Sequence, residues 1–152
     1  MRTRHLVTAA LTTAAVLPAA LAVTLAGAGP AAAASWTGQT ATGTVCANDA
    51  RTVASARLQY DGRSGNATIS LRYSPGCRTA WAHISGASAP RAGDSAGGAA
   101  AIHRSDGVRY LCTAGADGGC STAMVVDAGF TAYANGTDDT GFAIYQARTS
   151  SY

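Results

Sequence analysis

The sequence predicts an all-β fold: a small antiparallel sandwich or barrel of about eight short strands, braced by disulfides and preceded by a cleaved N-terminal signal helix. Three observations lead to this prediction. Short runs of β-forming residues alternate with Gly, Asp, Asn and Pro turns after residue 35. No stretch of that region has a helical period of apolar residues. All four cysteines lie there as well.

The N-terminus has the three-part pattern of a secretory signal. Residues 2–5 carry positive charge, Leu6–Leu25 is apolar, and small residues ending in Ala32-Ala33-Ala34 form an A-x-A cleavage pattern. The alternative is an uncleaved transmembrane anchor. Pro18 and the small-residue tail argue against an anchor, because anchors usually end in charged flanking residues.

Cleavage before Ser35 defines the expected organisation of the chain. Residues 1–34 are the signal peptide, and 35–152 are one mature β domain that is secreted, extracellular and free of the membrane. Loss of Arg2 and Arg4 with the signal lowers the formal net charge from +3 to +1. So small a charge gives no electrostatic case for a nucleic-acid or anionic-membrane partner. A composition rich in Ala, Gly and Arg, without Lys or Glu, is typical of a GC-rich bacterial genome.

The first predicted hairpin joins Val53–Tyr60 to Ala67–Tyr73 through a turn at Asp61–Asn66. Alternate residues of both strands are apolar and share a face. Pairing Tyr60 with Ala67 places Leu58 opposite Ile69, so that both apolar sets point to the predicted core.

The third predicted strand, Arg78–Ile84, follows a tight Ser74–Cys77 turn with Pro and Gly in type II positions. Pairing Leu71 with Ala80 brings Ile69 opposite Ala82 on the same core face. This arrangement depends on the turn being tight, since an odd-length turn would reverse the faces of the third strand.

The remaining chain contains a Ser85–Gly98 loop and further short strands. Asp106-Gly107 marks a hairpin turn, and Asn135-Gly136 is predicted as another turn. The later strands are predicted at Ala99–His103, Val108–Thr113, Thr122–Val126, Phe130–Ala134 and Phe142–Arg148.

An even number of cysteines in an exported domain predicts disulfides, here among Cys46, Cys77, Cys112 and Cys120. Three pairings are open. Cys46–Cys77 with Cys112–Cys120 is favoured because each bond then closes a separate loop. A four-cysteine metal site has no C-x-x-C spacing to support it.

The sequence assigns no catalytic residue, cofactor or metal site. Gly93–Gly98 resembles the segment around the nucleophile of chymotrypsin-like proteases, but Ala96 is inserted and the histidine context is missing. His83 and His103 have no metal-ligand spacing, and Asp138-Asp139 lacks the ladder of a calcium loop. Asp61, Asp106 and Asp117 each precede Gly and are explained by turns.

One group of side chains forms a candidate binding face opposite the predicted core, with Trp81 at its centre. In the predicted pairing, Trp81 lies opposite Ser70 and diagonal to Arg72. A Trp among polar groups suits a sugar ring or a partner protein. The alternative is that a second layer or the long loop covers Trp81, with Arg72 stacked on it. The face consists of Thr68, Ser70, Arg72, Thr79, Trp81 and His83.

Leu71–Ala82, reading LRYSPGCRTAWA, resembles the central motif of the DUF2690, or YjfA-like, family of secreted Gram-positive bacterial proteins of unknown function. Cys46–Asp49, Met124–Gly129 and Ala147–Tyr152 are also similar to that family. The resemblance covers about Gly43 to Tyr152. It implies a small secreted domain with Cys46 paired to Cys77, and it transfers no activity or catalytic residue.

Three functions are compatible with these features. The first is a non-catalytic extracellular module that binds cell-wall glycan or a secreted protein. The second is a hydrolase inhibitor that presents the Ser85–Gly98 or Cys112–Cys120 loop, since a rigid domain loses little entropy on binding. The third is a small hydrolase that uses His83 or Asp49 in a site assembled by folding.

Overall fold

A computed structural model describes residues 36–90 and 96–152. The predicted signal peptide and residues 93–95 of the protease-like segment lie outside the described residues. The described part contains one four-residue helix, α1 (Val45–Asn48), and nine strands. The strands are β1 (Arg51–Tyr60), β2 (Arg63–Ser74), β3 (Thr79–Ser85), β4 (Gly97–Arg104), β5 (Arg109–Thr113), β6 (Cys120–Ser121), β7 (Val125–Val126), β8 (Ala132–Asp139) and β9 (Ile144–Arg148).

The strands form one antiparallel sheet that curls into a nearly closed barrel, which confirms the predicted fold class. Their order is β5-β4-β8-β9-β1-β2-β3-β6, and β7 pairs with β3 beyond this path. The Cys112–Cys120 disulfide joins β5 at one end of that order to β6 at the other. This bond therefore closes the sheet covalently, and it confirms one half of the favoured cysteine pairing.

The core fills the inside of the barrel with the apolar side chains that alternate along the strands. Leu58, Ile69, Leu71, Ile84 and Ile102 are its largest fully buried members. The remainder is mostly alanine and valine. A core of such small side chains buries little apolar area per residue, and disulfides compensate for this in small domains.

The β1–β2 connection is shorter than predicted. Asp61 and Gly62 both have positive φ, and Tyr60 pairs with Arg63, so the turn contains two residues. Asp-Gly suits this geometry because both residues of a type I′ turn need positive φ. The β1–β2 register then shifts between Arg57 and Gln59, and Ile69 lies opposite Ala56, so the predicted Leu58–Ile69 pair is wrong by two residues. An even shift leaves the core face unchanged.

The β2–β3 connection is longer than the tight turn predicted. Ser74 pairs with Thr79 across a four-residue turn, Pro75–Arg78, in which Arg78 has positive φ. Leu71 therefore lies opposite Ala82 rather than Ala80. The turn length is still even, and the apolar set of β3 faces the core as predicted.

Two later turn predictions have opposite outcomes. Asp106-Gly107 forms the β4–β5 turn, as expected. Asn135-Gly136 does not form a turn but lies inside β8. A Cβ on Gly136 would approach the Ile69 Cβ to 2.9 Å and the Leu58 Cδ1 to 3.1 Å. The glycine is there because the strand passes close over the core.

Residues 36–50 lie across the outer side of β2 and β3. Gly38 N donates to Met124 O at 2.9 Å, and Met124 N donates to Gln39 O at 2.8 Å. The Cys46–Cys77 disulfide fixes α1 to the β2–β3 turn and confirms the second favoured pairing. Within residues 36–90 and 96–152, no helix has the length and apolarity needed to cross a membrane.

Candidate functional site

Trp81, the centre of the predicted binding face, is buried. Trp81 is 5% exposed and packs with Ala41, Cys46 and Met124. We call the outer side of β2 and β3 under residues 36–50 the covered face. Trp81 cannot serve there as a platform for a sugar or a partner, because the segment tied down by Cys46–Cys77 occupies the space. Of the two interpretations of Trp81, the structure selects the covering layer.

Two other residues of that predicted face, Arg72 and His83, have local contacts. Arg72 lies opposite Trp81, and its Nη2 donates to Ala50 O at 3.4 Å. His83 is half-buried, and its Nδ1 is 3.0 Å from Ser121 Oγ. Arg72 therefore helps to hold the covering segment, and His83 lies beyond it, near the β6 edge.

A second sheet surface carries an organised set of polar side chains. We call this surface the open face: the outer side of β5, β4, β8 and β9. The His103 ring stacks on Tyr133, with centroids 4.8 Å apart and planes 4° apart. The Arg148 guanidinium lies 3.5 Å from the centre of the same tyrosine ring. Since β4 and β9 flank β8, Tyr133 is held between His103 and Arg148.

Two further residues extend this arrangement. Asn135 Nδ2 is 3.3 Å from His103 Nε2, and Asn135 lies opposite Arg148 in the β8–β9 ladder. Arg109 lies opposite His103 in the β4–β5 ladder. Arg109 and Arg148 are exposed, whereas the aromatic and amide groups between them are half-buried. The result is a cationic row across four strands with ordered side chains at its centre.

The electrostatics of the open face are consistent with clustered positive charge. Burial, followed by the nearby Arg109 and Arg148, lowers the pKa of His103. The one ion pair found among the described residues joins Arg104 to Asp106, both outside this row. Neither Arg109 nor Arg148 therefore has a carboxylate partner in that part of the chain.

Two shallow depressions meet at the centre of the open face. One, of about 130 Å³, includes Arg109 and Leu111 in its lining. The other, of about 300 Å³, includes Gln146 and Arg148. Both are bordered by Asn135 and Thr137, so a single extended ligand could occupy the two depressions together.

An exposed aromatic tip lies at one end of the barrel, on the β8–β9 turn. Phe142 is 94% exposed, and Ile144 and Tyr60 beside it are also exposed. The turn is ordered by its own hydrogen bonds: Thr140 N donates to Ala143 O at 3.1 Å, and Gly141 N donates to Asp139 Oδ1 at 2.8 Å.

A polar cleft of about 340 Å³ at the same end has the buried Asp138 in its lining. Asp138 Oδ1 accepts a hydrogen bond from Ser88 N at 2.8 Å and so fixes the start of the β3–β4 loop. Adjacent strand residues point to opposite faces, so Asp138 and Asp139 cannot ligate one ion together. The described residues contain no group of three His, Cys, Asp or Glu side chains suited to a metal.

The residues expected of a hydrolase are dispersed. Asp49 accepts hydrogen bonds from Ser74 Oγ and Gly76 N, and these two bonds lower its pKa. His83 contacts Ser121 instead. Ser74, the partner of Asp49, pairs with Thr79 of β3, and His83 is four residues further along that strand. Four strand residues span roughly 13 Å, so these contacts do not bring His83 and Asp49 together.

The open face was not predicted from the sequence. The strand predicted at Ala99–His103 is confirmed as part of β4, but the sequence assigned no site to His103. The wrong turn at Asn135-Gly136 ended the predicted strand at Ala134, so that Tyr133, Asn135 and Thr137 were not placed on one strand. The available signal was the spacing of Tyr133, Asn135 and Thr137, which alternate with small residues as in a strand with one polar face.

Comparison with known proteins identifies a family. The family described as "Protein of unknown function (DUF2690)" matches residues 34–135. No curated protein and no solved structure matches the chain. The matched region includes both residues of the Cys46–Cys77 bond, the covered face and the first half of β8. The chain therefore belongs to the DUF2690 family, whose function is unknown.

Proposed function

We propose that this protein is a secreted, non-catalytic binding module that attaches to bacterial cell-wall glycan through the open face. The observation that supports this most directly is the row Arg109–His103–Tyr133–Arg148. Its central side chains hold one another in place, so binding would cost little side-chain entropy. The two disulfides are consistent with an extracellular location.

Sedimentation with purified cell walls tests the proposal. The protein, purified from the medium of an exporting host, should pellet with the walls, and the double variant Arg109→Ala/Arg148→Ala should remain in the supernatant. The matched control is Arg51→Ala/Arg63→Ala, which removes the same charge from exposed arginines of β1 and β2. Equal pelleting of the Arg109/Arg148 variant and the wild type would exclude the open face as the wall-binding surface.

A secreted hydrolase inhibitor is the second candidate, and the exposed tip favours it. A protruding Phe142 on a hydrogen-bonded turn could enter an apolar pocket with little loss of entropy. The Cys112–Cys120 loop, considered for this role from the sequence, connects the two ends of the sheet instead.

An inhibition panel of secreted proteases and amylases tests this second function. Inhibition by the wild type that is lost in Phe142→Ala, and retained in Val45→Ala, would support it. Val45 is a suitable control because it is another exposed apolar side chain, located in α1. No inhibition at micromolar protein would count against an inhibitor.

A further inference from the structure

We infer that the open face recognises a linear acidic glycan, with anionic groups of the chain bound at Arg109 and Arg148. This inference rests on the proposed wall-binding function and specifies its ligand. The shared chemistry is a repeated carboxylate or phosphate on a hydroxyl-bearing chain. Either group accepts hydrogen bonds from a guanidinium in a paired geometry.

The spacing of the two arginines favours an extended ligand. Arg109 is on β5 and Arg148 on β9, and β4 and β8 lie between them. Three strand spacings separate their backbones by roughly 14 Å. The Arg148 guanidinium leans over Tyr133 of β8, and from β8 to β5 there are still two strand spacings, roughly 10 Å. This exceeds the width of one sugar ring or one free anion, but a short oligomer can span it. The two depressions that meet at Asn135 and Thr137 lie between the arginines.

The charge distribution favours an anionic ligand, although residues 35–152 carry a formal net charge of only +1. Asp106, close to Arg109 in sequence, is bound by Arg104 through two contacts of 2.8 Å. Asp139 lies at the far end of β8 and accepts a hydrogen bond from Gly141 N. The cationic row is thus left without a nearby carboxylate in the described part of the chain.

The central side chains favour a glycan over a nucleic acid. Single-stranded nucleic acids stack their bases on free aromatic faces. Tyr133 has His103 on its β4 side and Arg148 on its β9 side, so neither side is free for a base. Asn135, Thr137 and Gln146 supply amide and hydroxyl groups instead, which can hydrogen-bond to sugar hydroxyls.

His103 should make this recognition dependent on pH. It faces Arg109 from β5, Tyr133 and Asn135 from β8, and Arg148 from β9. Its surroundings are cationic or neutral, which opposes protonation in the free protein. A bound anion would favour protonation, and by linkage acidification should strengthen binding.

Fluorescence anisotropy with labelled oligomers tests the inference in the intact exported protein. The probes are oligogalacturonate for carboxylate, poly(glycerol phosphate) for phosphate, neutral cello-oligosaccharide, and a single-stranded oligonucleotide of equal charge. We expect binding to one or both acidic probes, weakened by salt between about 0.05 M and about 0.3 M. Arg109→Ala and Arg148→Ala should each weaken it about fivefold, and Arg51→Ala should not.

Two further measurements sharpen this test. Affinity for the acidic probe should rise several-fold from about pH 7.5 to about pH 5.5, and His103→Gln should remove that rise. The inference is overturned if the neutral oligosaccharide or the oligonucleotide binds as tightly as the acidic glycans. It is also overturned if Arg51→Ala weakens binding as much as Arg148→Ala.

Failure of the inference is distinguishable from failure of the proposed function. If walls bind through the open face but both acidic glycan probes fail, only the ligand class is wrong. If Arg109→Ala/Arg148→Ala leaves wall binding intact, the proposed function itself is wrong.

Discussion

The covered face and the open face of this barrel are built from similar parts but have opposite exposure. Each places an arginine beside a large aromatic ring on the outer side of the sheet: Arg72 opposite Trp81, and Arg148 over Tyr133. Residues 36–50 bury Trp81, whereas Tyr133 remains half-buried and Arg148 exposed. Exposure here is decided by a distant segment and its Cys46–Cys77 anchor, and not by the pattern of the strands.

The largest difference expected between the two faces is in how much a substitution of the aromatic residue destabilises the protein. Trp81→Ala should lower the free energy of unfolding by about 3–5 kcal/mol, because it removes a large buried side chain and leaves a cavity. Tyr133→Ala, on the open face, should cost less than about 1 kcal/mol. Urea unfolding followed by circular dichroism measures both.

The same two variants should exchange ranks in a binding assay. Folded Trp81→Ala should bind cell walls like the wild type, and Tyr133→Ala should bind more weakly because His103 and Arg148 lose their support. A folded Trp81→Ala protein that fails to bind walls, together with a Tyr133→Ala protein that binds like the wild type, would reverse our assignment of the two faces.

Removal of each disulfide should have the next largest effect. Chain-entropy arguments give a loss of about 3.5 kcal/mol for Cys46→Ala/Cys77→Ala and about 2.5 kcal/mol for Cys112→Ala/Cys120→Ala. The first pair should also release the covered face, so amide hydrogen exchange should accelerate around Trp81 and not around Tyr133. Equal acceleration on both faces would show that residues 36–50 do not cover the sheet independently.

Gly136→Ala should cost about 1–3 kcal/mol, because the new methyl group meets Ile69 and Leu58 in a filled core. Gly119→Ala is the informative comparison. Its methyl group would come no closer to a neighbouring atom than 3.4 Å, from the Ile84 carbonyl oxygen, which is an ordinary van der Waals contact. Thermal unfolding of the two variants should therefore differ clearly, and equal melting temperatures would contradict the close packing of β8.

These comparisons show how far the sequence predicts the molecule. The apolar alternation in Val53–Tyr60 and Ala67–Tyr73 predicted the core side, because a shift of two residues does not change which face is buried. The β1–β2 register was wrong because Asp61-Gly62, a dipeptide typical of two-residue turns, was placed in a longer turn, and because β1 shifts register between Arg57 and Gln59. The β2–β3 register was wrong because Arg78, with positive φ, lengthens the turn, which the sequence does not reveal. The burial of Trp81 was left open because it depends on residues remote in the sequence.

The smallest expected effect is on the pH dependence of stability, to which Asp127 and His103 should contribute in opposite directions. Burial raises the pKa of Asp127, directly after β7, to about 6, above its ordinary value of 3.8. The folded state then binds a proton that the unfolded state releases, so stability falls as pH rises from about 4 to about 6. The pKa of His103 is lowered instead, so its contribution to stability falls as pH drops below 6.5.

Urea unfolding across this pH range tests both signs. The wild type should lose free energy of unfolding between pH 4 and 6, and Asp127→Asn should remove about 1 kcal/mol of that loss. The expected value is small because solvent screens this half-exposed carboxyl group. His103→Gln should remove a decline on the acidic side of pH 6.5. Parallel pH profiles for the wild type and Asp127→Asn would contradict the burial of that carboxyl group.

Chemical-shift mapping tests the central claim most directly, namely that the open face and not the covered face contacts the ligand. The isotope-labelled protein would be titrated with soluble cell-wall fragments. We predict that the shifted amides cluster at His103, Arg109, Tyr133 and Arg148, while the Trp81 indole N–H does not move. Shifts concentrated at Trp81 and residues 36–50, or no shifts at all, would contradict this account.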